Sequence, residues 1–188
     1  MHRFLFALLP AVLLLAACGG GGTAGGSGRD LNLDLGGPAA AEHAGIHLAM
    51  ARGYDRAVGV TLRLADDPAD VRLAGVDDLD RDRAVAVMAV LPGELYLAAD
   101  RVILDERRDD VRAAVEALQR GYEETIVDPE SAVAAMVEAG AGERTALLAE
   151  LDRVAPRFKG GAREFGFVDP AKLPPGTADA SLVRESDR

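Results

Sequence analysis

Two histidines, His43 and His47, stand four residues apart with Glu42 beside the first. On a helix that spacing puts both rings on one face, an arrangement able to hold zinc. The run His43-Ala44-Gly45-Ile46-His47 lacks the glutamate that a zinc hydrolase places after its first histidine, and no spacing supplies a third ligand. A metal site on His43 and His47 is therefore the minor reading, and histidines satisfied within the fold the major one. The acidic string Asp78-Leu79-Asp80-Arg81-Asp82 opens like a calcium loop. Arg83 then stands where the loop needs glycine and Ala89 where it needs a bidentate glutamate, so calcium is set aside. Asp77 and Asp78 follow an apolar run. At the carboxyl end of a strand, where open α/β sheets place ligands, they would hold a cationic or hydroxyl group; the alternative is a solvated turn.

Nucleophiles are few. The serines are Ser27, Ser131, Ser181 and Ser186, and none sits in a nucleophile-elbow pattern. The glycines between 19 and 26 precede no lysine-serine pair and no strand-to-helix turn, so they build no phosphate cradle. The chain is accordingly read as a non-enzyme without a cofactor. With 21 basic against 31 acidic side chains and a net charge of −10, it also lacks the surplus of lysine and arginine that binding nucleic acid requires.

The single cysteine is Cys18, at the end of a charged start and an apolar run from Phe4 to Ala17. The run is shorter than the roughly 20 residues a membrane-spanning helix needs, and its three zones are those of a secretory signal peptide. The end, Leu15-Ala16-Ala17-Cys18, resembles the lipobox of bacterial lipoproteins, which implies cleavage after residue 17 and acylation of the Cys18 thiol. On this reading residues 1–17 are a signal peptide and residues 18–29 a lipidated cysteine with a glycine-rich linker. Residues 30–175 are then the folded domain, and 176–188 a disordered tail. The protein is expected on the extracytoplasmic face of the cell membrane, held by lipid.

The elements follow from periodicity. Leu31, Leu33 and Leu35 alternate with polar residues, which predicts a half-buried strand ended by Gly36-Gly37-Pro38. Ile46, Ala49 and Met50 predict a helix over 42–52, stopped at Gly53. Further strands are expected at 60–64, 71–76, 84–91 and 94–99. The run Ala84 to Leu91 has no polar member, the pattern of a strand buried on both faces in a parallel sheet. Val111, Val115, Leu118, Tyr122 and Ile126 predict a helix. Asp128-Pro129 caps a second helix, and a third is expected from Glu143 to Val154 with Leu147, Leu148 and Leu151 inward.

The text Glu42-His43-Ala44-Gly45-Ile46-His47-Leu48-Ala49, continuing through Gly53-Tyr54 to Gly59-Val60, resembles the solute-binding proteins of ABC transporters. The branch is the one serving nitrate, sulfonates and thiamine-pyrimidine precursors. Leu33, Asp34 and Pro38 fit the strand and loop that precede this helix there, and Asp109 to Leu118 with Arg120-Gly121-Tyr122 and Asp128-Pro129-Glu130 look like the family's late helix pair. His47 stands where the family usually has tyrosine, and family members run to about twice this mature length. The resemblance implies a type II periplasmic-binding-protein-like fold, an open, mostly parallel sheet flanked by helices, as a single lobe or a shortened two-lobe form. It also implies a ligand against Gly37, Glu42, His43 and Ala44, where helix N-terminal N–H groups favour polar or anionic groups. The implied partners are a small solute (a sulfonate, nitrate or a pyrimidine precursor) and an ABC permease. The alternative is a lipoprotein that no longer binds solute and retains one lobe as an interaction module.

Overall fold

The computed structural model describes residues 29–66, 68–81, 84–159 and 165–183. The expected signal peptide, Cys18 and nearly all of the linker lie outside the described residues, as do residues 184–188. Strand β1 (Arg29–Asp34) takes in the last residue expected of the linker. Its alternation holds, with Leu31 and Leu33 fully buried and Asn32 and Asp34 half-buried. A loop and a 3-10 turn (Ala41–His43) lead into α1 (Ala44–Arg52), which ends on Gly53 in the left-handed conformation at φ 71°. A short α2 (Tyr54–Ala57) precedes β2 (Val60–Leu64). Then come β3 (Val71–Gly75), α3 (Val76–Arg81), β4 (Ala84–Leu91) and β5 (Leu95–Asp100). Three helices follow, α4 (Arg101–Val127), α5 (Pro129–Glu138) and α6 (Arg144–Val154). The helix expected around Val111 to Ile126 is the second part of α4, which breaks at Arg107 with φ −133°. The expected cap of α5 is present, with Asp128 accepting from the Ser131 N–H at 3.1 Å.

The five strands form one α/β sheet in the order β2-β1-β3-β5-β4. Strand β1 pairs in parallel with β2 and β3, whereas β5 runs antiparallel to both β3 and β4. The sheet is therefore mixed, and the expectation of a mostly parallel sheet is corrected: half of its pairings are antiparallel. The fault lies in the reading of β4. All eight of its residues are buried, yet it is an edge strand with an antiparallel neighbour. It is buried because the C-terminal chain covers its free edge. The Ala86 N–H donates to the Thr177 carbonyl at 2.8 Å, the Asp179 N–H to the Ala86 carbonyl at 2.9 Å, and the Ala89 N–H to the Gly166 carbonyl at 2.9 Å.

The two faces of the sheet differ in side-chain size. Val85, Val87, Met88 and Val90 join Leu31, Leu33, Ile46, Leu118 and Tyr122 in the main core under the helices. Ala84, Ala86 and Ala89 turn the other way with Ala74, Ala98 and Leu79, and these small residues let Val168 and Leu173 of the C-terminal chain approach closely. The expected disordered tail is corrected in the same way. Ala178 bridges Ala86, a 3-10 turn spans Ala180–Leu182, and Leu182 is buried, so the folded domain extends beyond 175, at least to Val183. Among the described residues no helix is long and apolar enough to cross a membrane.

Candidate functional site

Because β1, β2, β3 and β4 all run in one direction, their carboxyl ends meet at one edge of the sheet. There a cavity of about 190 Å³ opens at the ends of β1 and β2. Leu33, Leu35, Leu64 and Ala65 form its apolar wall, and Asp34, Asp66 and the Gly37 backbone supply its polar groups. The pairing of Leu33 with Leu64 sets the two strand ends side by side, and the Ala65 N–H donates to the Leu33 carbonyl at 3.1 Å. Asp34 accepts the Gly36 N–H at 2.8 Å, closing a tight turn. Gly36 has φ 73°, and a Cβ there would come within 3.0 Å of the Leu73 carbonyl oxygen, so glycine is required. Two carboxylates beside an apolar wall suit a small ligand that carries a cation or several N–H or O–H donors. They oppose an anion.

The residues expected to bind are distributed differently. Of Gly37, Glu42, His43 and Ala44, Gly37 alone reaches the cavity. Glu42 lies half-buried in the 3-10 turn, where its carbonyl accepts the Tyr122 hydroxyl at 2.7 Å. His43 and Ala44 are only 4% and 0% exposed, and α6 packs against their turn. The start of α1 is thus built into the core rather than opened to a ligand. Asp77 and Asp78 occupy the first turn of α3 at the same sheet edge, Asp77 exposed and Asp78 half-buried, but neither lines the cavity.

His43 and His47 do lie on one side of the turn and helix, both buried. The His43 Nδ1 accepts the Ala40 N–H at 3.0 Å. Burial pushes the His43 imidazole below its ordinary pKa, against the opposing influence of the Glu42 and Glu150 carboxylates. Burial also lowers that of His47, and the nearby His43 lowers it further. Among the described residues no group of three histidine, cysteine, aspartate or glutamate side chains could hold a metal ion. The two histidines alone do not make a metal site.

Neither Asp34 nor Asp66 is among the binding residues expected from the sequence. The signal available was positional: each lies at the carboxyl end of an expected strand run, where a carboxylate faces the open end of a sheet. No family model matches this chain, and no curated protein is significantly similar to it.

Proposed function

We propose that the chain is a lipid-anchored, extracytoplasmic solute-binding protein, the capture component of an ABC importer, and that its solute enters the cavity between Asp34 and Asp66. The observation that carries this reading is the placement of two carboxylates and an apolar wall at the carboxyl ends of adjacent parallel strands. Arg29 begins β1 at the opposite end of the sheet, so a chain tethered through residues 18–28 would present the cavity away from its anchor. Among the solutes implied by the resemblance, the carboxylates favour an amino-bearing pyrimidine precursor over a sulfonate or nitrate, because the first offers donors and the others only negative charge. The cavity lies below the usual 300–1,000 Å³ of drug-sized sites, which limits the solute to a small molecule. Binding would then favour the form that the permease recognises.

A thermal-shift series tests this. An aminopyrimidine or small amine should stabilise the protein, by about 2.7 kcal/mol at a hundredfold excess over Kd. The Asp34→Asn variant should lose that shift, and sulfonates and nitrate should produce none. A melt that no solute moves would overturn the reading. It would then favour an interaction module retaining one lobe, a second reading supported by the packing of α6 where the resemblance implies a cleft. Retention of a membrane protein by the immobilised chain would be its positive sign.

A further inference from the structure

The histidine pair is not used by the solute cavity, and its surroundings are unusual. His43 and His47 are 4% and 6% exposed. The His43 Nδ1 accepts the Ala40 N–H, so that nitrogen carries no proton and closes the turn only while the ring is neutral. A proton there would set two donors against each other. The His47 Nε2 is buried with no hydrogen-bond partner among the described residues, and a cation on it would stand beside a second cation on His43.

The groups facing the pair come from each packed element. Glu42 in the turn and Glu150 on α6 act on His43, and Tyr122 on α4 donates to the Glu42 carbonyl. The buried residues of α5 are the apolar Ala132, Val133, Ala135 and Met136. The two carboxylates draw a proton toward His43, and burial withholds it.

We propose that His43 and His47 form an acid-operated latch, whose protonation releases the 3-10 turn and the preceding loop from α6 and α1. Loss of the Ala40 bond frees the segment that carries Leu35 and Gly37 to the cavity, so acid opens the mouth of the site. That consequence rests on the proposed solute site, whereas the latch itself needs no solute.

The test is hydrogen exchange of the full-length protein without solute, at about pH 7.5 and about pH 5.5, with rates corrected for their intrinsic pH dependence. Segments 35–47 and 144–158 should exchange at least about tenfold faster at the lower pH, and by a larger factor than β4 and β5, whose exchange follows global stability. The double variant His43→Asn, His47→Leu should lose the difference, because the asparagine oxygen keeps an acceptor near the Nδ1 position and neither residue titrates. An unchanged rate in the wild type, an equal acceleration in the double variant, or a uniform acceleration reaching β4 would each overturn the latch. If the double variant does not fold, His43→Asn alone is read, and an undiminished acid response there overturns it equally. None of these readings involves binding, so failure of the latch leaves the solute reading standing, and failure of the solute screen leaves the latch testable.

Discussion

Replacing Gly121 by alanine sets two physical terms against each other. In the interior of a helix the change should stabilise, by about 1 kcal/mol, since alanine has the higher helix propensity. At this position α4 crosses α1 with a glycine on each helix. A Cβ on Gly121 would lie 2.2 Å from the Gly45 carbonyl oxygen and 2.7 Å from the Ala49 Cβ. Backbone cannot rotate aside as a side chain can, so the helices must separate by about 1 Å to restore an ordinary contact. The next residue, Tyr122, is fully buried with its ring directly over Gly45, where a Cβ would meet it at 2.3 Å, so separation also loosens this close contact between the helices. Overpacking of this kind costs about 1–3 kcal/mol and more where backbone must move. We expect a net loss of about 2 kcal/mol or more, which lowers Tm by about 4–8 °C for a domain of this size. Urea unfolding followed by circular dichroism measures the difference. Gly37→Ala is the control, because a Cβ there meets nothing within 4 Å and should change stability by no more than about 0.5 kcal/mol. A Gly121→Ala protein more stable than the wild type would refute the close crossing and leave helix propensity as the only term.

Arg107, at the break in α4, donates to Asp70 at 3.0 Å and Asp110 at 3.1 Å and to the Asp30 carbonyl. Arg107→Ala should cost about 1–3 kcal/mol, discounted toward the lower end by the partial exposure of the pair, and an unfolding midpoint unchanged from the wild type would refute the role. Phe165 is fully buried against Tyr122 and Phe158. Phe165→Ala should cost about 3–5 kcal/mol and expose the C-terminal chain to limited proteolysis before the helices; cleavage that begins elsewhere would contradict its part in holding β4. Global stability should also fall in mild acid. The His43 and His47 pKa values lie below their ordinary 6.5, so the unfolded chain takes up protons first as pH drops through 6.5. The stability they contribute is complete above that value and is lost on the way down to the lowered values. Urea midpoints between about pH 7.5 and 5 check this, and a smaller slope is expected for His43→Asn.

Local elements were legible where a single period dominates. The alternation at Leu31 and Leu33 and the spacing of Val111, Val115, Leu118 and Tyr122 report which side of each element is buried, and this depends on neighbours a few residues away. The reading failed at β4, where burial on every side came from a segment some eighty residues later in the chain rather than from parallel neighbours. The end of that segment, from residue 176, was expected to be a disordered tail. The segment's order comes from Val168, Leu173 and Leu182, apolar residues too widely spaced to show a period.

The candidate site was legible only in outline. Gly37 was placed correctly beside the end of β1, but the helix N-terminus after it proved to be interior. Nothing local distinguishes an exposed helix start from one on which α6 packs. Asp34 and Asp66 meet because β1 and β2 pair in parallel with Leu33 opposite Leu64.

The amino-acid sequence by itself determined the α/β alternation, the helix ends at Gly53 and Asp128, the acidic balance and the four-residue spacing of two histidines at the start of a helix. Each of these depends on side-chain type and short spacing. Only the tertiary structure decided that the sheet is mixed, that the C-terminal chain closes its edge, that the histidines are interior and that the open carboxylates are Asp34 and Asp66. Those outcomes depend on contacts between residues far apart in the chain, whose choice is a balance of burial and pairing over the whole fold.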